Sequence, residues 1–404
     1  MKVPFFRPDL REDEVNEVAD TLRSGWLTTG PKVKRFEERF AQMVGAKFAV
    51  ALNSCTAGLH LALEALGVEA GDVVLVPTHT FAATAEVVRY MGAHPLLIDC
   101  DVDTCNMDLQ DASAKIQALR SGELSVPIPK DAPVVGIMPV HVGGYMMAID
   151  AIAEFADEHN LWIVEDGAHA FPAAWRKDDS SEWIRCGANT ARVSCYSFYA
   201  NKTITTGEGG MAVTDDEEVA ERMRLMSLHG LSKDAWKRFS GGGSWDYQIV
   251  APGYKYNLTD IAAAIGLHQL ARAEEMRQAR EKVALRFLDM LADVSQLTLP
   301  LNSNDRIHSW HLFPIRLNLE ELSVDRGQFI DELRDLGIGT SVHWRPLHLH
   351  PYYKDSIGWQ AQDCPKANSL WPRLISLPIF SLMTEDEINY VASSVKALCV
   401  RLTR

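Results

Sequence analysis

An alternation of short apolar runs with helical patterns through the first 250 residues sets the fold class of this chain. Apolar runs that predict buried strands lie at residues 73–76, 95–98, 134–140, 161–164, 193–198 and 211–214. Helical patterns lie at residues 11–23, 57–66, 82–91 and 149–159. Such alternation is typical of an α/β protein with a largely parallel sheet covered on both faces. Because ligands of these sheets bind beyond the carboxyl ends of the strands, polar residues that follow strands are the functional candidates.

The rest of the chain predicts a second, smaller domain. A long helical pattern covers residues 258–285, and further helical patterns and strand-like runs follow at residues 310–317, 326–336, 339–344 and 385–402. We therefore expect an N-terminal segment and a large domain over residues 1–257. A linking helix and a compact α+β domain are expected over residues 258–404. A glycine-rich run at residues 240–244 predicts a flexible loop.

The charge balance and the cysteines exclude several classes of function. The formal net charge is −14, from 40 Lys and Arg against 54 Asp and Glu, which disfavours nucleic acid and anionic membranes as partners. No apolar run reaches about 18 residues, so no membrane-spanning helix is expected. Seven dispersed cysteines without a Cys-x-x-Cys pair indicate reduced thiols and a cytoplasmic protein. His343, His348 and His350 lack the spacing of a zinc site, so no metal is expected.

Three polar features fall at predicted strand ends or helix starts. Asp166 directly follows an apolar strand, and a carboxylate there needs a cationic or N–H partner. Lys202 follows the strand at residues 193–198 and precedes a glycine-rich turn at residues 207–210. The Ser54-Cys55-Thr56 run opens a helix, where free backbone N–H groups and hydroxyls favour a phosphate. The turn at 207–210 lacks the helix and the acidic residue of a dinucleotide-binding loop.

Pyridoxal phosphate is the cofactor that uses all three features. It needs a lysine for a Schiff base, a carboxylate on the pyridine nitrogen and a cradle for its phosphate. The lysine attacks as a neutral amine, and burial lowers a lysine pKa. Phe81 follows another predicted strand and is a candidate to stack on the ring. Each feature also has a plainer interpretation: a solvated lysine, a helix-capping aspartate, and plain capping by the Ser–Thr run.

Several stretches of the chain carry a resemblance to a known family. They lie at residues 24–31, 54–57, 165–170, 197–210, 253–260, 308–313 and 337–345. From about residue 4 to residue 400 the chain resembles the DegT/DnrJ/StrS sugar aminotransferases, and within them the transaminases that make UDP-4-amino-4-deoxy-L-arabinose. The resemblance implies the fold-type I, aspartate aminotransferase-like fold: a large domain with a mostly parallel seven-stranded sheet and a smaller α+β C-terminal domain.

The resemblance also implies roles for individual residues. Lys202 is the Schiff-base lysine and the proton carrier, and Asp166 pairs with the pyridine nitrogen. His169 lies near the phenolic oxygen of the cofactor, and Phe81 stacks on its ring. The phosphate is bound by Ser54, Cys55 through its backbone N–H, Thr56 and Ser197.

A partner subunit is expected to complete the site. In many relatives a Gly-Tyr-Asn-Tyr-Arg run sends its Asn to the phosphate of the other subunit. Here Lys255 takes the place of that Asn and Asn257 the place of the Arg, and either of them is a candidate. The resemblance therefore implies a homodimer with shared active sites. Candidate substrate-binding residues are Trp26, Thr29, Tyr199, His308, His343 and Arg345; capping, core packing or a surface ion pair are the plainer interpretations for several of them.

The function implied by these residues is transamination. We expect a pyridoxal phosphate-dependent aminotransferase that moves an amino group from L-glutamate to a keto sugar, with a UDP-linked 4-keto sugar as the leading acceptor. A 3-keto sugar, a cyclitol or a keto sugar without a nucleotide is the alternative. Tyr199 stands where the arabinose-type enzyme has His, which bears on the choice of sugar. Lys202 disfavours the dehydratase branch, which has His instead, and no basic or helix-turn-helix segment supports a pyridoxal-binding regulator.

Overall fold

The computed structural model describes residues 1–188, 191–231 and 248–404, and its strands and helices follow the predicted alternation. The strands in chain order are β1 Phe48–Leu52, β2 Val73–Pro77, β3 His94–Ile98, β4 Val134–Ile137, β5 Trp162–Asp166, β6 Ala174–Trp175, β7 Ile184–Arg185, β8 Val193–Ser197, β9 Gly210–Thr214, β10 Leu297–Thr298, β11 Arg306–Ile307, β12 Phe313–Leu317 and β13 Leu374–Leu377. The glycine-rich run at residues 240–244 lies outside the described residues.

Helices precede, separate and follow these strands, and six of the twelve that the structure describes begin at a side chain that accepts a first-turn N–H. In chain order they are α1 Glu12–Ser24, α2 Pro31–Val44, α3 Cys55–Ala65, α4 Ala83–Tyr90, α5 Leu109–Ser121, α6 Ile149–His159, α7 Glu217–Ser227, α8 Asp260–Ala271, α9 Ala273–Leu291, α10 Arg326–Asp335, α11 Pro365–Leu370 and α12 Glu385–Arg401. Ser54, Asp108 and Thr384 each accept a first-turn N–H, which satisfies a donor that has no carbonyl inside the helix. Within the described residues, the helices are too short or too polar to cross a membrane.

A seven-stranded sheet is the largest sheet within the described part of the chain. Its spatial order is β1-β9-β8-β5-β4-β2-β3. The pairs β2–β3, β2–β4, β4–β5 and β5–β8 are parallel, whereas β9 runs antiparallel to both β8 and β1. The predicted mostly parallel sheet is therefore confirmed, with the strand expected at residues 211–214 running against the others. Two smaller three-stranded sheets are β10-β12-β13 and β11-β6-β7.

Three expectations for single elements differ from the structure. The long helical pattern over residues 258–285 is two helices, α8 and α9, that meet at Arg272, whose guanidinium binds Asp9 and Glu14. The strand expected at residues 339–344 does not form, because the segment makes a single isolated bridge, between Ser341 and Ser376. Strand β13 takes the place beside β12. Helix α2 and strand β1 are elements that the sequence patterns do not predict.

Two large hydrophobic cores and one small cluster lie within the described part of the molecule. The first surrounds the seven-stranded sheet, and the second lies between β12, β13, α9 and α12. Helix α9 contributes Ala273 and Met276 to the first core and Phe287 to the second. The domain boundary after residue 257 stays a prediction; by side-chain packing, the change from one core to the other falls inside α9.

Candidate active site

One edge of the seven-stranded sheet gathers most of the predicted site residues. Gly210, the first residue of β9, pairs with Leu52 at the end of β1 and with Ser197 at the end of β8. Asp166 ends β5, the neighbour of β8. A cavity of about 420 Å³ lies at this edge, within the range of small-molecule sites. It is lined by ten predicted residues, namely Ser54, Cys55, Thr56, Phe81, Asp166, His169, Ser197, Tyr199, Lys202 and His343.

Lys202 reaches this cavity from a turn that follows β8. Its backbone N–H donates to the carbonyl of Tyr199 at 2.9 Å, and its Nζ lies 3.5 Å from Nε2 of His311. Burial lowers the pKa of Lys202 to about 8, although the negative charge of Asp166 favours the charged amine. A pKa near 8 leaves about one amine in ten neutral at pH 7, and the neutral amine is the form that can attack a carbonyl or accept a proton.

Asp166 presents a buried carboxylate with its own donors. Its Oδ2 accepts the hydroxyl of Thr84 at 2.8 Å, and its Oδ1 accepts the N–H of Ala168 at 3.1 Å. The thiol of Cys55 lies 3.9 Å from Oδ1. Burial raises the pKa of Cys55 well above the usual range, so the thiol keeps its proton and faces the carboxylate as a weak donor. These donors offset the cost of removing the carboxylate from water.

The start of helix α3 forms one end of the cavity. Ser54 caps the helix by accepting the N–H of Ala57 at 3.1 Å, and the N–H groups of Cys55 and Thr56 have no carbonyl inside the helix. Gly210 makes this arrangement possible, because a Cβ there would lie 2.5 Å from the backbone nitrogen of Cys55. Ser54, Thr56 and Ser197 add hydroxyls beside these N–H groups. The arrangement has the donors that an anion site needs.

Aromatic rings line two sides of the cavity. Phe81 is 62% exposed although its neighbours Thr80 and Ala83 are buried. His169 belongs to a second aromatic group, stacked on Trp344 with ring centroids 5.0 Å apart. A flat ring placed in the cavity would cover the exposed Phe81 side chain and remove apolar surface from water.

His169 has a defined tautomer. Its Nδ1 accepts the N–H of Gly143 at 3.2 Å, so the proton of the neutral ring lies on Nε2. Burial lowers the pKa of His169 well below its ordinary value, with the positive Lys202 acting in the same direction. His169 is therefore a neutral side chain that offers one N–H donor.

Four predicted residues lie in a different cleft or beside it. Trp26, Thr29 and Asn257 line a cleft of about 510 Å³ that is separate from the Lys202 cavity. Asn257 donates to the Thr29 hydroxyl at 2.8 Å, and Lys255 donates to Asn257 at 2.6 Å. Within one subunit these side chains bind each other and none lines the cavity of Lys202. Their roles in a partner's site stay predictions.

Two predicted substrate-binding residues are not brought to the Lys202 cavity. His308 is buried, its Nδ1 accepts the N–H of Trp310 at 2.9 Å, and its ring stacks on Trp310. This placement favours the alternative of core packing, and the substrate role of His308 stays a prediction. Arg345 is exposed and donates to the carbonyl of Leu349 at 2.8 Å, away from the cavity lining.

The structure also brings residues to the cavity that the motifs did not single out as site residues. Thr84 binds Asp166 without lining the cavity. His311 lies beside Lys202, its ring centroid is 4.2 Å from that of His169, and its Nδ1 has no partner within the described residues. The sequence signal for His311 is its place as the second histidine in the stretch at residues 308–313. Other polar or aromatic side chains added to the lining are those of Thr80, Asn201, Glu208 and Trp344.

Comparisons with known proteins identify the family of this chain. The family model of the DegT/DnrJ/EryC1/StrS aminotransferases matches residues 8–396. The chain is 43% identical over 396 residues to protein MJ1066 of Methanocaldococcus jannaschii, covering 98% of this chain and 97% of that protein. It is 41% identical over 395 residues to the spore coat polysaccharide biosynthesis protein SpsC of Bacillus subtilis, covering 98% and 96%.

A solved structure extends the similarity to the whole fold. Spr1654 from Streptococcus pneumoniae, assigned as a sugar aminotransferase, superposes in its PMP form with a TM-score of 0.88 at 32% identity. The match covers 99% of this chain and 98% of Spr1654, and the PLP form superposes with a TM-score of 0.87. Both the fold-type I architecture and the use of pyridoxal phosphate follow from these matches. The chain belongs to the DegT/DnrJ/EryC1/StrS family and is a pyridoxal phosphate-dependent aminotransferase.

Proposed function

We propose that this enzyme moves an amino group from L-glutamate to a keto sugar carried on a nucleotide, with a UDP-linked 4-keto sugar as the acceptor. The observation that carries the proposal is the Lys202 amine, with its pKa near 8, in one cavity with the buried carboxylate of Asp166. A sugar acceptor is supported by the similarity to SpsC, a polysaccharide biosynthesis protein, and to the sugar aminotransferase structures.

The cavity residues fit pyridoxal phosphate. The start of α3 offers N–H groups and hydroxyls for a phosphate, and Phe81 offers an exposed face for a ring. The carboxylate of Asp166 can accept a further hydrogen bond besides the one from Thr84. When bound, pyridoxal phosphate supplies an aldehyde that takes up the amine and a ring that absorbs carbanion charge. We assign Asp166 to the ring nitrogen and His169, through its Nε2–H, to the phenolic oxygen.

Lys202 has the properties of the proton carrier. Its amine is neutral in a useful fraction of molecules near pH 7, so Nζ can accept the proton of the donor's α-carbon. The turn that holds Lys202 is fixed by its bond to Tyr199, which keeps Nζ inside the cavity. His311 beside it is neutral, because burial lowers its pKa well below the ordinary value. The His311 ring therefore does not repel the positive charge that Lys202 carries once its amine has accepted a proton.

We assign the acceptor sugar to the open side of the cavity and to a partner subunit. Tyr199, which is 47% exposed, and His343 lie at the cavity and offer a hydroxyl and an imidazole. The partner's copies of Lys255 and Asn257 would complete the phosphate site across a homodimer. A cytoplasmic location is supported by the cysteines, all seven of which are unpaired and buried.

Absorption spectroscopy of the purified holoenzyme tests the donor half of the reaction. Addition of L-glutamate is expected to remove the visible band of the bound cofactor, and Lys202→Ala is expected to abolish that change. Lys396→Ala is the control, since Lys396 is a surface lysine paired with Asp293. A wild-type band that does not respond to L-glutamate would refute this donor.

A panel of ketones then tests the acceptor. The PMP form of the enzyme is mixed with a UDP-linked 4-keto sugar, a UDP-linked 3-keto sugar, a cyclitol ketone and a keto sugar without nucleotide. Return of the visible band is expected to be at least ~100-fold faster with the UDP-linked 4-keto sugar, because binding energy from the nucleotide adds to the reaction rate. Equal rates with the sugar that lacks a nucleotide would contradict the nucleotide-linked acceptor.

A further inference from the structure

We propose that Thr80 and Thr84 form a hydroxyl relay that orients Asp166, and that Thr84 is thereby a positioning residue for transamination. The inference rests on the proposed function in one respect, the assignment of Asp166 to the ring nitrogen of the cofactor. Thr84 lies on helix α4, which follows β2, whereas Asp166 ends β5. The relay therefore connects two separate elements of the large core.

The contacts of the relay are short and buried. Thr84 Oγ1 lies 2.8 Å from Oδ2 of Asp166, and Thr80 Oγ1 lies 2.8 Å from Thr84 Oγ1. The exposed fractions of Thr80, Thr84 and Asp166 are 1%, 0% and 5%. Water therefore has little access to replace either contact. A hydrogen bond to a buried carboxylate is among the stronger kinds that proteins form.

The direction of the relay follows from the donors. The carboxylate of Asp166 accepts only, so the single proton of the Thr84 hydroxyl points to Asp166. The carbonyl of Phe81 also faces that hydroxyl, at the longer distance of 3.4 Å. Because the Thr84 proton is used, the proton between the two threonines comes from Thr80. Two aligned hydroxyls polarise each other and strengthen the bond to the carboxylate.

The relay gives each oxygen of Asp166 a separate anchor. Oδ2 is held by Thr84 and Oδ1 by the N–H of Ala168, so rotation of the carboxylate about its Cβ–Cγ bond breaks both contacts. Threonine is suited to this task because its β-branched side chain has few rotamers. Phe81, at the cavity wall, lies three residues before Thr84. The same turn of backbone therefore positions the stacking ring and orients the acid.

A double-mutant cycle on the reconstituted enzyme tests the relay. Thr84→Val keeps the shape and removes the donor, and Thr84→Ser keeps the donor. Thr84→Val is expected to raise the Kd of pyridoxal phosphate for the apoenzyme, and to slow the half-reaction with L-glutamate, by about ten- to a hundred-fold. The KM for L-glutamate is expected to change by less than about threefold, since Thr84 acts through Asp166. Thr84→Ser is expected to restore both quantities to within about threefold of the wild type.

The cycle is closed with Asp166→Asn. In that background Thr84→Val is expected to change the Kd of pyridoxal phosphate by less than about threefold, because an asparagine amide oxygen accepts a weaker hydrogen bond than the carboxylate and brings no negative charge to the ring nitrogen. Thr78→Val is the matched control: Thr78 is equally buried and binds His348 at 2.7 Å instead of Asp166. The Kd of pyridoxal phosphate for the Thr78→Val variant is expected to equal that of the wild type. Thr80→Val is also expected to raise the Kd of pyridoxal phosphate, but by a smaller factor than Thr84→Val.

Two results would overturn the relay. An equal loss from Thr84→Val in the wild-type and Asp166→Asn backgrounds would show that Thr84 acts by packing. Thr84→Ser as damaging as Thr84→Val would show that the hydroxyl is irrelevant. Failure of the assignment of Asp166 gives a different signature, an Asp166→Asn enzyme that binds pyridoxal phosphate and reacts with L-glutamate as the wild type does. Thermal unfolding of each apoenzyme shows whether a variant has lost its fold.

Discussion

Replacement of Lys202 by methionine is expected to stabilise the apoenzyme at neutral pH. Methionine is close to lysine in length and brings no charge into the cavity. In the wild type, folding places an amine of ordinary pKa 10.5 where burial lowers the pKa to about 8. Below pH 8 the chain must either bury a positive charge or release a proton, and both cost free energy. The Lys202→Met variant has neither cost.

The size and the pH window of the effect follow from the two pKa values. The difference between 10.5 and about 8 corresponds to about 3 kcal/mol at ~1.4 kcal/mol per pKa unit. Because the folded pKa is the lower one, the unfolded state binds more protons between pH 8 and pH 10.5, and stability rises with pH there. The cost is complete below pH 8 and disappears as the pH approaches 10.5.

Urea unfolding of the two apoenzymes at pH 7, 8, 9 and 10 measures the effect. Lys202→Met is expected to be more stable by about 2–3 kcal/mol at pH 7 and by less than ~1 kcal/mol at pH 10. Lys396→Met, at a lysine 45% exposed, is the control and is expected to show no such pH dependence. A difference that is absent at pH 7, or that does not shrink with rising pH, would refute the view that burial lowers the pKa of Lys202.

Substitutions at three further positions test the cavity and its surroundings. Gly210→Ala is expected to weaken pyridoxal phosphate binding at least ~10-fold in a reconstitution titration, because the new Cβ meets the start of α3 at Ser54 and Cys55; unchanged affinity would contradict the role of that helix start. Phe81→Ala is expected to weaken the same binding about fivefold and Phe81→Trp to preserve it, as equilibrium dialysis would show. His308→Gln is expected to lower unfolding stability by about 1–2 kcal/mol while the KM of both substrates stays constant, as core packing requires; a raised KM for the keto sugar would support the substrate-binding role of His308 instead.

The site residues that could be predicted from the sequence are those next to strands. Asp166 and Lys202 each follow a run of apolar residues, and the sheet rule then places both at one edge. Ser54 and Thr56 could be predicted as an anion site because they open a helix. For these residues the local sequence pattern predicts that they lie at a strand end or a helix start. The pairing of strands then decides only which other residues lie beside them.

Pairing and packing between distant segments could not be predicted from local patterns. The run at residues 339–344 has the composition of a strand, yet it pairs with Ser376 at Ser341 alone and then turns into the cavity with His343 and Trp344. The helical pattern at residues 258–285 contains no proline, and its break at Arg272 depends on carboxylates near residue 10. In both cases the deciding contact lies far away in the sequence.

Thr84 shows most clearly what a local pattern cannot reveal about a site. It belongs to a helical pattern of small and branched residues, and its burial would by itself be explained as core packing. What gives it a functional meaning is the spatial order β5-β4-β2, which brings the start of α4 within 2.8 Å of a carboxylate 82 residues later in the chain. A buried hydroxyl needs an acceptor, and here the acceptor is Asp166, the carboxylate that we propose for the ring nitrogen of the cofactor. On that proposal stability and catalysis share one hydrogen bond, so a variant at Thr84 must be judged by the cycle with Asp166 and not by activity alone.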